Sequence, residues 1–169
     1  MNTVQLNEVL SAHLSDDVFK GVHPASRLPV MSDEIKYPFC FVANTDCGHS
    51  PGQHWVAFYF DANGFGRYFD SFGRMPRHTD WINYLTGHSL QGMWDYCKAA
   101  IQSLDSEACG QYCIYYLINR HWTPLCLSDY MLMHDVKESD VLAFCNALSN
   151  SNCIPVLLNP RSIQTGYFP

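Results

Sequence analysis

The stretch His54-Trp55-Val56-Ala57-Phe58-Tyr59-Phe60, then Asp61-Ala62-Asn63-Gly64, then Arg67-Tyr68-Phe69-Asp70, decides the fold. The first run has strand length and is rich in aromatic and β-branched residues. The second is a turn signal, and the third reads as the returning strand of a hairpin. Apolar side chains fall on both parities of that hairpin, which predicts a central sheet covered on both faces. Loop length then fixes the register. With a three-residue loop, Ala62-Asn63-Gly64, Asp61 faces Phe65 and Val56 faces Asp70. His54 becomes the diagonal neighbour of Asp70 on one face, about 7–8 Å away and within side-chain reach. A two-residue loop puts them on opposite faces.

Outward from the hairpin the chain alternates short periodic segments with loops. Upstream, Phe39-Cys40-Phe41-Val42-Ala43 reads as a strand, and residues 44–53, with Pro51-Gly52, as a connecting loop. Val4, Leu6, Val9, Leu10 and Leu14 predict a helix over about residues 3–13. Residues 21–29, with two prolines and Arg27, read as a loop. Downstream, residues 79–85 read as a short helix, 91–94 as a strand and 109–121 as a long buried helix. Val141, Leu142, Cys145 and Leu148 place another helix over 138–148, with Ser139-Asp140 near its start. The last twenty residues carry Pro155, Pro160 and Pro169 and read as mostly irregular.

Composition narrows the class. With 169 residues, 47% hydrophobic and 15% charged, the chain is expected to form one aromatic-rich domain over 1–169. A net charge of −6 without any basic run argues against a nucleic-acid footprint. No apolar run is long enough to cross a bilayer, and no signal peptide opens the chain. An intracellular, soluble protein of a reducing compartment is expected, with its eight cysteines mostly free thiols. No C-x-x-C occurs, and Cys40, Cys47 and His49 merely flank a loop, so no metal is expected.

One segment carries reactive chemistry: Asp105-Ser106-Glu107-Ala108-Cys109-Gly110-Gln111-Tyr112-Cys113. A polar loop gives way here to the apolar run 114–118, so Ser106 or Asp105 is a candidate cap and Cys109 falls in the first helical turn. Unpaired backbone N–H groups and the helix dipole favour a thiolate at that place. The small Ala108 and Gly110 on either side leave room for a substrate backbone. A thiol nucleophile needs a base and a group that orients the base. His54, opening a strand, and Asp70, ending its partner, are the candidates. The Cys109 amide and the side chain of Gln102 are candidate oxyanion donors. Each residue also has a plain reading: Cys113, Cys126 and Cys145 as small core residues, His54 as a rim histidine, Asp70 as the start of a turn.

Three motifs then carry a resemblance: Gly52-Gln53-His54-Trp55-Val56-Ala57-Phe58, Tyr68-Phe69-Asp70-Ser71-Phe72-Gly73, and Gln102-Ser103 ahead of Cys109-Gly110. From about Gly21 to Leu148 the chain resembles the adenain family, the adenovirus-type cysteine proteases, with their relatives in virus-like transposons. It resembles the ubiquitin-like-protein-specific proteases more distantly, and Asn44-Thr45 matches the adenain side better. The resemblance implies an α+β, papain-like fold: a central mixed or antiparallel sheet with the catalytic cysteine at the N-terminus of a buried helix. It makes Cys109 the nucleophile, His54 the base, Asp70 its orienter and Gln102 an oxyanion donor. Trp55, with Asn44 and Gly110, becomes substrate-binding, Trp55 bordering a narrow channel for small residues.

The function implied is a cysteine endopeptidase cleaving Gly-X or Gly-Gly sites through a thioester, maturing viral precursor proteins. The alternatives are an isopeptidase removing ubiquitin-like modifiers and an inactive binding module of the same fold. No cofactor is expected. The resemblance implies activation by DNA and by a peptide; the acidic chain argues against DNA, and a peptide would need an exposed cysteine for a mixed disulfide, with Cys97 and Cys126 the candidates. The expected protein is a monomer acting on polypeptides in the host cytoplasm or nucleus, or packaged in a virion, without membrane or nucleic-acid partners. Asp70 stands where adenovirus enzymes have Glu; its shorter reach asks for a closer approach to His54.

Overall fold

A computed structural model describes residues 1–32, 34–45, 54–120 and 127–150. The hairpin forms from β3 (Trp55–Phe60) and β4 (Gly66–Phe69) in the register expected from a three-residue loop, with Ala57 opposite Phe69 and Phe60 opposite Gly66. Asp61 N–H donates to Phe65 C=O at 3.1 Å and Gly64 N–H to Asp61 C=O at 2.8 Å. Gly64 takes φ +72°, the left-handed conformation that such a loop asks of its last residue. The Asp61 carboxylate also accepts from the Asn63 and Phe65 amides, so the turn is pinned by its own first residue.

Around the hairpin lies a five-stranded mixed sheet in the order β1-β2-β3-β4-β5, completed by β1 (Phe19–His23), β2 (Phe39–Asn44) and β5 (Trp94–Tyr96). The two edge pairings are parallel and the two inner ones antiparallel. Both faces of the central strands are covered. On one face Cys40, Val42, Ala57, Tyr59 and Phe69 pack beneath α3 (Cys109–Asn119), flanked by α1 (Thr3–His13) and α5 (Glu138–Asn150). On the other, Phe39, Phe41, Phe58 and Phe60 meet Trp81 and Leu85 of α2 (Thr79–His88). The cross-strand pairs Phe39–Phe60 and Phe41–Phe58 stack at 4.3 and 4.5 Å between ring centroids. Every residue of α3 but Gln111 is buried, as its nearly unbroken apolar sequence requires. The architecture is α+β with the Cys109 helix central, as expected.

Four local readings need correction. Residues 21–23 belong to β1, not to a loop; a bulge between Phe19 and Val22, with Gly21 at φ +95°, hides the strand from a period-two reading. The strand expected at 91–94 lies at β5, because Leu90–Gly92 forms a 3-10 turn with Gln91 at φ 58°. Neither Ser106 nor Asp105 is the N-cap of α3; Ala108 is, without a side-chain capping bond. Leu127–Met133 forms an additional short helix, α4. The N-terminal helix falls at Thr3–His13, closed by a capping box between Asn2 and Gln5. The loop expected over 46–53, residue 121 of the Cys109 helix and the irregular tail expected from 151 onward lie outside the described residues.

Candidate active site

The first turn of α3, the start of β3 and the end of β4 meet at one rim of the sheet. His54 precedes β3 and Asp70 follows β4, on the diagonal set by the hairpin. The imidazole Nε2 of His54 bonds Asp70 Oδ1 at 2.7 Å, and both residues are buried, at 8% and 3% exposure. Asp70 is fixed from its other side: the Phe72 amide donates to Oδ1 at 2.8 Å, and the Gly73 amide to its carbonyl at 2.8 Å. The Phe72 ring packs 4.8 Å from the imidazole. Asp70 thus begins a turn and holds the imidazole at once.

With Nε2 committed to the carboxylate, Nδ1 is the ring nitrogen left for the sulfur. It has no hydrogen bond of ordinary geometry, yet the Cys109 side chain is near enough that each group shifts the other's protonation. The contact is loose, as such pairs often are before substrate binds. Burial of the ring opposes its protonation, but the hydrogen bond to Asp70, the contact with Cys109 and their negative charges outweigh this and hold His54 up to about 9. For Cys109, burial pushes the thiol up. The His54 bond, the Trp55 amide, the imidazolium charge and the Gly110 amide together bring it below its ordinary value. The two shifts run in the same sense, toward a thiolate–imidazolium pair. The other described thiols go the opposite way: burial lifts Cys40 and Cys145 to about 12 and Cys113 well above its ordinary range.

Gln102 is 6% exposed and sits on the loop that leads into Cys109. Its Nε2 donates to the Ser106 carbonyl at 2.8 Å and, over a longer 3.3 Å, to Ser106 Oγ. A carbonyl can only accept, which fixes the amide's orientation and turns Oε1 toward Ser71. The Ser71 hydroxyl donates to Oε1 at 2.5 Å, and the Ser71 carbonyl accepts from the Ile101 and Gln102 amides at 2.9 and 3.1 Å. Consecutive residues therefore brace the two halves of the site: Asp70 holds His54, and Ser71 holds Gln102. Ser71 was missed in the sequence because its partner lies 31 residues away. Its only signal is its place directly after Asp70.

The remaining candidates separate. Asn44 ends β2 directly opposite Trp55, at the same rim. Trp55 is 6% exposed and donates from its indole to the Met1 carbonyl at 3.2 Å, so its ring lies in the core beside α1. Gly110 is corrected: a Cβ there would meet Met1 at 3.2 Å, Trp55 at 3.4 Å and Leu6 at 3.5 Å. Its missing side chain lets Trp55 and Leu6 of α1 pack on α3, so the space a Cβ would take is filled by the protein itself. Cys97 is corrected as well. It is 4% exposed and disulfide-bonded, so it is not an exposed free thiol. Cys126, Cys47 and His49 lie outside the described residues. Among the described residues no cluster of three or more metal-ligating side chains occurs, and no helix is long and apolar enough to cross a membrane.

No protein-family model and no curated sequence matches the chain. Solved structures do. The crystal structure of the ASFV pS273R protease superposes with a TM-score of 0.61 at 18% identity, covering 87% of this chain and 66% of that one. The selenomethionine structure of the same protease gives 0.50 at 23% identity, covering 66% and 43%. The chain thus spans less than two thirds of the length of these proteases. Likeness at this identity establishes a shared fold, the papain-like α+β arrangement.

Proposed function

We propose that the protein is a cysteine endopeptidase, with Cys109 as nucleophile, His54 as base and acid, Asp70 as orienter and Gln102 as oxyanion donor. One observation carries the reading. The 2.7 Å bond between His54 and Asp70 leaves the other ring nitrogen beside a sulfur at the start of a buried helix. That the fold's solved relatives are proteases supports it.

In this reading the Cys109 thiolate attacks the substrate carbonyl carbon, forming a C–S bond. The negative oxygen is stabilised by the Cys109 amide, unpaired at a helix start, and by the Gln102 N–H now on the longer Ser106 bond. Collapse breaks the C–N bond as the His54 imidazolium gives its proton to the departing amine. A water molecule, losing a proton to His54, then cleaves the thioester and restores the pair. Substrates are polypeptides with small residues at the cut, of the Gly-X or Gly-Gly type, and viral precursor proteins are the class the sequence resemblance favours. Digestion of a proteome-derived peptide library tests this. Wild-type protein is expected to generate a narrow set of cuts after glycine that Cys109→Ala abolishes; cuts that survive in Cys109→Ala, or none from the wild type, refute it.

A further inference from the structure

On the far side of His54 from the Cys109 helix lies a cavity of about 430 Å³. His54 and Asp70 form one wall, and Tyr68, Phe72 and Trp81 contribute aromatic surface. Arg74, Arg77 and His78 line it too, and both arginines are exposed. Cys109 is not part of the lining, so this space is separate from the place of attack.

The basic side chains are held by the aromatic ones. The Arg74 guanidinium lies 4.8 Å over the Phe72 ring, which also packs 4.8 Å from the His54 ring. His78 packs 4.6 Å from Trp81, and the charge of Arg77 acts on the buried Tyr68 phenol. The one carboxylate in the lining, Asp70, is already committed to His54 and the Phe72 amide. Neither arginine is ion-paired with a carboxylate among the described residues. In a chain of net charge −6 with ten Lys and Arg in all, two guanidinium groups on one cavity without a carboxylate partner among the described residues stand out.

Position gives the cavity its role. If His54 protonates the departing amine, the chain leaving with that amine starts beside the imidazole, and the imidazole also forms a wall of this cavity. We propose that the cavity is the leaving-group-side subsite and takes an acidic side chain, Asp or Glu, within the first few residues after the scissile bond. The proposal rests on the peptidase reading, deepens it, and uses recognition that hydrolysis itself does not need. Arginine suits a carboxylate because its planar fork donates two parallel N–H bonds.

The test uses Cys109→Ala protein and fluorescent Gly-Gly peptides with Glu, Gln or Lys at each early position after the second glycine. Binding is expected to be about 5- to 10-fold tighter for Glu than for Gln at one position, the scale of two partly exposed ion pairs, and weaker for Lys. The preference should shrink as salt is raised. In the Arg74→Glu/Arg77→Glu background the order should reverse, with Lys favoured over Glu. If that variant does not fold, the salt titration of the Cys109→Ala protein decides alone. Equal binding of Glu and Gln at every position, or a preference insensitive to salt, overturns the subsite. Failure of wild-type protein to cut any of these peptides instead counts against the peptidase reading, so the two failures are told apart.

Discussion

Asp70→Asn probes the electrostatics of the site with little change of shape. The asparagine carbonyl oxygen can still accept from the Phe72 amide, so the turn is expected to survive. The charge beside His54 does not. Raising the ring from 6.5 to about 9 corresponds to about 3 kcal/mol in favour of imidazolium, at about 1.4 kcal/mol per pKa unit. Burial works against that preference, and the Asp70 bond is the first of the influences that overcome it, ahead of Cys109. Crediting Asp70 with about two thirds of it, roughly 2 kcal/mol, predicts an approximately 30-fold weaker hold on the proton. The ring then gives up its proton close to neutral pH instead of near about 9, and Cys109 loses part of the cation that favours its thiolate. Iodoacetamide reacts with thiolate, so its rate at Cys109, followed by mass spectrometry of that peptide, reports the change. Cys40 and Cys145, lifted to about 12, hold a thiolate fraction on the order of 10⁻⁵ at pH 7 and add little background. The variant's rate at pH 7 is expected to fall about 10- to 30-fold and to converge with wild type at high pH, where both thiols are ionised. A rate and pH midpoint identical to wild type would refute the thiolate–imidazolium pair.

The same pair makes the pH profile of hydrolysis bell-shaped. Activity should rise as Cys109 ionises, below the ordinary thiol range, and fall as His54 loses its proton near about 9; a rise that continues past pH 10 contradicts it. In Cys109→Ala, NMR titration should find the imidazole easier to deprotonate than in wild type, because one of its anionic neighbours is gone; an unchanged midpoint means the sulfur is not coupled to the ring. Gln102→Ala should lower kcat about 100-fold with KM little altered. Ser71→Ala, which frees the Gln102 amide to turn, should give a smaller loss in kcat that Ser71→Thr partly restores; a loss confined to KM argues against both roles. Gly73→Ala should destabilise the fold by about 1–3 kcal/mol in urea titration, because Gly73 has φ +67° and an added Cβ would sit 2.5 Å from the Lys98 carbonyl; an unchanged midpoint removes that close approach.

Most of what lies near the hairpin was legible in the chain because its geometry is local. Asp61-Ala62-Asn63-Gly64 after an aromatic run admits a two- or a three-residue loop, the three-residue form makes His54 and Asp70 diagonal neighbours, and the structure has that form. The buried helix was legible for a similar reason: residues 112–118 carry no charge and no polar group beyond tyrosine hydroxyls, which leaves no solvent face. What stayed hidden depends on contacts between distant segments or on single backbone angles. β1 is disguised by a bulge, β5 is displaced by one residue in the left-handed region, and the start of α3 is held without a side-chain cap.

By itself, then, the order of residues determined the covered sheet, the central helix with a thiol in its first turn, and which two side chains flank the hairpin's open end. Each follows from a period of two or 3.6 residues and from one loop length. Only the tertiary structure decided that Gly110 serves packing, that Cys97 is closed off, that Ser71 grips Gln102 and that two arginines share a cavity with His54. Those facts depend on what the folded chain brings against each residue from tens of positions away, and no local pattern encodes that distance.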